Sequence, residues 1–145
     1  MEDIEKLQIA ARAKNRTIET DKINWRLIFT MHWGGYEVYV DGVIGPWFLK
    51  PWIQLARAGM DVRYIVLRPD EPTTVARAMA REQQYKIPLA KSTVTSMWRS
   101  LAHLGAYEPY AVDTSAMDSR QSAAYLRERL EAEGFRLLAA TEPER

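Results

Sequence analysis

Gly34-Gly35-Tyr36-Glu37-Val38-Tyr39-Val40-Asp41-Gly42-Val43-Ile44-Gly45-Pro46 reads as a helix stop, a short buried strand, and a carboxylate and glycine at the strand's C-terminal tip. Paired glycines accept the left-handed backbone that closes helices. Val38, Tyr39 and Val40 are strand-favouring residues that alternate across a pleat. Open α/β sheets hold their ligands at the carboxyl ends of strands, which makes Asp41 a candidate functional residue.

Outward from that stretch, strand and helix signals alternate. Before it, the spacing of Ile4, Leu7 and Ala11 predicts a helix over 3–14 with Asp3 as its cap, and Ile23, Leu27, Ile28 and Met31 predict a second over 21–33. After it, Pro46 suits a first helical turn, and Trp47, Phe48, Trp52, Ile53 and Leu55 continue to a stop near Gly59. Asp61 to Leu67 reads as the next strand, so 37–67 has the form of a strand–helix–strand crossover. That form implies direct parallel pairing of 37–41 with 62–67. Further helices are expected over 73–83, from a Ser92 cap to about Leu104, and over 119–133, with Gly105 and Gly134 as stops. Tyr110–Asp113 reads as a third strand, and 135–139 as a weak fourth strand or docked tail.

Composition narrows the function classes. A chain of 145 residues, 47% apolar and 27% charged, fits one globular domain. A net charge of +1 gives no strong attraction to nucleic acid or acidic membranes. No cysteine is present, which excludes disulfides and thiolate metal sites and accords with a cytoplasmic protein. Met1-Glu2-Asp3-Ile4-Glu5-Lys6 has no signal-peptide h-region, and no apolar run approaches the ~20 residues of a membrane span. His32 and His103 carry no metal or triad spacing. Ser92, Ser96 and Ser100 lack a nucleophile-elbow pattern.

The remaining candidates each have two readings. Asp41 can hold a magnesium-bound water or a substrate hydroxyl, or simply cap a turn. Arg77 and Arg81 are four apart, share a helix face and suit a phosphate, or form a solvated face paired with Glu82 and Asp70. Asp113-Thr114-Ser115 can edge a base or phosphate at a strand tip, or form a plain Asx turn. Trp47 and Trp52 can stack a ligand ring or pack under the crossover helix.

Three blocks together resemble a family. Gly34-Gly-Tyr-Glu-Val-Tyr-Val-Asp-Gly-Val-Ile-Gly-Pro-Trp-Phe-Leu49 is similar to the middle strand of P-loop small-molecule kinases of the AAA-type ATPase kind. Tyr64-Ile-Val-Leu-Arg-Pro69 with Arg77 and Arg81 resembles the next strand and lid helix. Leu104-Gly-Ala-Tyr-Glu-Pro-Tyr-Ala-Val-Asp-Thr-Ser115 resembles the last strand and adenine-side loop. The resemblance spans roughly Gly34 to Phe135. It implies a three-layer α/β fold, a parallel sheet of three to four strands flanked by helices, and ATP-dependent phosphoryl transfer to a small molecule. It also implies ATP and Mg2+ as cofactors. Asp41 is then the catalytic and metal-organising residue. Arg77, Arg81, Thr114 and Ser115 contact nucleotide or phosphate, and Gly42 and Trp47 line the substrate pocket.

The sequence departs from that family at one place. The phosphate cradle, Gly-x-x-x-x-Gly-Lys-Ser/Thr, is absent, and no glycine precedes Gly34. The expectation is therefore one kinase-like domain over 1–145 that lacks the N-terminal strand and phosphate loop and is inactive or weak as written. The competing expectations are a non-catalytic binding or scaffold domain, and a fragment completed by another chain. Either would self-associate or take a partner through an exposed sheet edge.

Overall fold

The computed structural model describes residues 8–13, 16–20, 34–35 and 37–137, the first two stretches by backbone alone. The chain divides into two compact units. One holds the described residues up to Val62, and the other is Arg63–Leu137.

The first unit carries a three-stranded antiparallel sheet in the order β2-β1-β3, with β1 at Gln8–Ala13, β2 at Arg16–Thr20 and β3 at Glu37–Asp41. Ile9 stands opposite Thr20 on one side and Val40 on the other, and Ala11 opposite Ile18 and Val38. β3 has the bounds expected from its alternation, with Val38 and Val40 half-buried and Glu37, Tyr39 and Asp41 exposed. The helix expected over 3–14 is corrected where it is described, because residues 8–13 are the central strand. Two flanking strands satisfy its backbone on both edges, and such pairing overrides a weak helical spacing. Thr17, Ile18 and Thr20 suit β2 by their branched side chains. The helix expected over 21–33 lies outside the described residues.

Gly35 takes a positive φ of 85°, the conformation expected of this glycine pair. After β3 the chain enters a 3₁₀ turn at Pro46–Phe48 and then helix α1, Lys50–Arg57. Leu49, between them, is buried.

The second unit alternates as expected: β4 at Val66–Leu67, α2 at Glu71–Tyr85, α3 at Lys91–Ser100, β5 at Ala111–Val112 and α4 at Ser119–Glu131. β4 and β5 pair in parallel, Val66 with Ala111 and Leu67 with Val112. Parallel neighbours need a long connection, and α2 and α3 supply it. Helix α2 starts at an Asp70 cap whose Oδ1 accepts from Thr73 N at 2.8 Å. Helix α4 starts with a reciprocal capping box between Asp118 and Gln121. Ser92 does not cap α3; the helix begins one residue before it, behind Ala90.

The direct pairing expected between 37–41 and 62–67 does not form. β3 ladders with β1, and β4 with β5. Residues 8–13, as a strand, are the partner that β3 takes up along its whole length. The strand expected over 61–67 is also shorter. Arg63 makes a lone antiparallel bridge to Arg136, and only Val66 and Leu67 join a ladder. The tail up to Leu137 is docked by that bridge, by Tyr64 N donating to Phe135 O at 3.0 Å, and by burial of Leu137.

Tyr64, Val66, Ala78, Leu104, Val112 and Leu137 are the buried apolar residues of this unit. Tyr64, Tyr107 and Tyr110 pack with ring centroids 5.5–6.5 Å apart. Burial, and secondarily Tyr107, pushes the Tyr64 phenol up to about 12, so it stays neutral. Among the described residues no helix is long and apolar enough to cross a membrane.

Candidate functional site at the ends of the parallel strands

β4 and β5 both finish at the same end, and their exit loops, Arg68–Asp70 and Asp113–Met117, are knitted together there. Ser115 lies between the loops. Its hydroxyl donates to Asp113 Oδ1 and accepts from Asp70 N at 2.8 Å, and Ser115 N donates to Asp113 Oδ1 at 2.9 Å. Those Ser115 bonds hold the Asp113 carboxyl below its usual range. Asp70 is lowered too, chiefly by its bonds from Thr73 at the helix cap.

Arg77 reaches this loop from α2. One of its terminal nitrogens lies 3.1 Å from Thr114 O, 3.4 Å from Ser115 O and 2.8 Å from Met117 O. Thr114 is buried at 4% exposure, the most enclosed polar residue of the network. The loop is therefore clamped from the helix side by a permanently charged donor.

A second clamp holds the base of the same loops. Arg68 makes a two-pronged pair with Glu108 at 2.9 and 2.8 Å, and also donates to Leu101 O at 3.1 Å and Ala102 O at 3.2 Å. Glu108 also accepts from Leu104 N at 2.7 Å. The Arg68 bond first, and then the Leu104 amide, push Glu108 down to about 2. Trp98 of α3 donates its indole N–H to Pro69 O at 2.8 Å.

Of the residues singled out in the sequence, Arg77, Thr114 and Ser115 thus meet in one network. Arg81, one turn further along α2, is exposed and has no partner among the described residues. Asp41, Gly42 and Trp47 belong to the other unit. Asp41 is exposed at the end of β3, with no side-chain hydrogen bond among the described residues, and Gly42 is exposed beside it. Trp47 is 56% exposed, which settles its choice against core packing, while Trp52 is half-buried.

Sequence reasoning missed Arg68, Glu108 and Asp70 as members of the site. The Asp70 signal was present, since Asp-x-Pro-Thr is an N-cap pattern. The Arg68–Glu108 pair had none, because 40 residues separate them.

The donor chemistry can be set against magnesium and a nucleotide. Magnesium wants a near-octahedral set of oxygens. No group of three or more acidic or histidine side chains stands together among the described residues. Asp70 and Asp113 each commit an oxygen to the chain's own backbone amides. Arg77, a natural phosphate clamp, is turned onto carbonyl oxygens. The residues of this unit do not fit a resident magnesium–ATP complex, and no step of a reaction is routed through one. What the arrangement supplies is a rigid strand-end loop with two exposed carboxylates and a hydroxyl.

No family model matches the chain, and neither a curated protein nor a solved structure does.

Proposed function

We propose that this chain is a P-loop kinase-like domain related to ATP-dependent phosphotransferases acting on small molecules, and that it is inactive or weak by itself. In this reading the two described sheets descend from a three-layer α/β fold with a parallel sheet of three to four strands. The Arg77 clamp on the Thr114–Met117 loop carries the reading. It brings together the helix arginine and the strand-end loop that the resemblance pairs, at the strand end where α/β folds bind ligands. The absent Gly-x-x-x-x-Gly-Lys-Ser/Thr removes the backbone amides and lysine that hold the β- and γ-phosphates. The proposed setting is cytoplasmic.

The test is titration of the full chain with Mg-ATP, followed by calorimetry and by the amide resonances of Thr114 and Ser115. The expected dissociation constant is in the mM range or weaker, ~4 kcal/mol or less of binding. Movement of those resonances at mM nucleotide supports the reading. Micromolar binding, or mM binding that leaves them still, overturns it.

A second reading, a non-catalytic binding or scaffold domain, is favoured by exposure between α2 and α3. There Tyr85, Ile87 and Leu89 are 61%, 62% and 38% exposed. Among the described residues β3 is an outer strand of its sheet, an edge that suits pairing with a second chain. Light scattering of the purified chain separates the two readings. A concentration-dependent dimer favours the scaffold, and a monomer across the range favours the kinase-like reading.

A further inference from the structure

One stretch of the second unit carries no acid. Between Glu82 and Glu108 no aspartate or glutamate occurs, while Lys86, Lys91 and Arg99 do. Helix α3 lies inside that stretch. Its Lys91, Ser92, Thr95, Ser96, Arg99 and Ser100 recur at helical spacing and share one face. Those side chains line an open groove of about 750 Å³. A second hollow, about 460 Å³, adjoins it, with Lys91 and Thr95 in both linings and Glu71, Pro72, Val75 and Ala76 of α2 as its other walls. The combined surface is cationic and hydroxyl-rich along α3 and has an apolar shelf on α2.

The polar groups of this face are mostly uncommitted. Ser100 turns its hydroxyl back onto Ser96 O at 3.0 Å. The hydroxyls of Ser92, Thr95 and Ser96 have no hydrogen-bond partner among the described residues, and Lys91 has no ion pair there. Arg99, 70% exposed, meets Glu71 at 3.6 Å, beyond hydrogen-bond length. An exposed pair at that distance contributes little, so a better-placed carboxylate displaces Glu71 at small cost.

Spacing matches an extended ligand. Lys91 and Arg99 stand ~12 Å apart along the helix axis, at about 1.5 Å per residue. Four residues of extended chain span ~13 Å, and side chains two and four residues apart point to one face. A segment of the form Glu-x-Leu-x-Glu therefore sets one carboxylate by each cation and its apolar residue beside Thr95, where the shelf opens. Single-stranded nucleic acid also carries spaced anions, but it draws much of its affinity from aromatic side chains that stack bases. No aromatic residue lines either hollow among the described residues.

We propose that this face of α3 and the adjoining shelf of α2 form a docking groove for an extended acidic peptide segment of a partner protein. Lys91 and Arg99 take its carboxylates, the free hydroxyls donate to its backbone carbonyls, and Pro72, Val75 and Ala76 take its apolar side chain. The inference stands apart from the kinase-like reading, which the Mg-ATP titration decides by itself.

The experiment follows the fluorescence anisotropy of a labelled, end-capped peptide, Gly-Glu-Ser-Leu-Ser-Glu-Gly, as the full chain is added. The companion probes replace both Glu by Gln, or Leu by Ser, and a labelled deoxythymidine oligomer of matched length is the fourth. The expected result is saturable binding of the acidic peptide that weakens as NaCl is raised. The Gln peptide should bind at least about tenfold more weakly and the Leu-less peptide about fivefold. Lys91→Met and Arg99→Met should each weaken the acidic peptide about fivefold, and Lys91→Arg and Arg99→Lys should stay within about twofold of the native chain, which separates lost charge from lost structure. Glu71→Gln should tighten binding about twofold, because the carboxylate that competes for Arg99 is gone. Equal binding of the Gln peptide, or no loss in either Met variant, overturns the cationic groove. A loss in one Met variant alone overturns capture at two points, and weaker binding in Glu71→Gln overturns the displacement of Glu71. Tighter binding of the deoxythymidine oligomer than of the acidic peptide overturns the peptide assignment.

Discussion

At the end of β3 the chain reads Val40-Asp41-Gly42, and at the end of β5 it reads Val112-Asp113-Thr114. Both put a carboxylate after an apolar strand residue, Asp41 expected to hold a magnesium-bound water or substrate hydroxyl and the Asp113–Ser115 loop to edge a base or phosphate. In the structure they have different fates. Asp113 is gripped by Ser115, and its loop is clamped by Arg77. Asp41 is exposed, with no hydrogen-bond partner for its side chain among the described residues. The difference teaches that a strand-tip carboxylate becomes part of a site only when a neighbouring element brings donors to it. β5 has a parallel neighbour whose exit loop delivers the Asp70 amide, and a helix that delivers Arg77. β3 ends opposite Gln8 of an antiparallel neighbour, so that neighbour's exit loop leaves from the other end.

Breaking the clamp gives the largest expected effect. Arg77→Met removes the donor shared by three carbonyls and should cost roughly 2 kcal/mol, the range for hydrogen bonds from a charged group. Urea unfolding followed by far-ultraviolet circular dichroism measures it. A cost near zero would make the β5 tip as loose as the β3 tip.

Acid comes next. Glu108 and Asp113 both have folded-state pKa values below the ordinary ones, so their stabilisation is present above the unfolded pKa and is lost as pH falls. For Glu108 the window runs from 4.5 down to about 2. The unfolding midpoint should be flat above about pH 5 and fall steadily below it. Glu108→Gln should flatten part of that slope. A slope unchanged in Glu108→Gln would show that the Arg68 pair does not hold the strand-end loops.

Ser115→Ala should have a smaller effect, about 1 kcal/mol, for the loss of one hydroxyl that both donates and accepts. Exchange protection of the Asp70 amide should fall with it, because that amide donates to Ser115 Oγ. Full protection in the variant would detach Asp70 from the network.

The smallest effect belongs to the other tip. Asp41→Asn should change stability by no more than ~0.5 kcal/mol, as expected of an exposed side chain without a partner among the described residues. A loss on the order of 1 kcal/mol, the scale of a structural cap, would erase the contrast between the two tips.

Sequence alone determined the elements whose signals are local. β3 follows from its alternation, α2 from Pro72 and the spacing of Val75, Ala76 and Met79, α4 from the Gly134 stop, and the Gly35 turn from backbone freedom. Helix spacing set Arg77 beside Arg81, and strand-tip logic singled out the Asp113–Ser115 loop; only the family resemblance put Arg77, Thr114 and Ser115 in one set. Tertiary structure decided everything that depends on distant partners. It made residues 8–13 a central strand, because backbone groups are satisfied by whichever strands lie alongside. It paired β3 with β1 and β4 with β5, where local patterning favours no particular neighbour. It joined Arg68 to Glu108 across 40 residues, and it turned Arg77 from the expected phosphate toward the carbonyls of its own loop. A side chain's donors go to the nearest acceptors that the fold supplies, and no spacing in the sequence measures that distance.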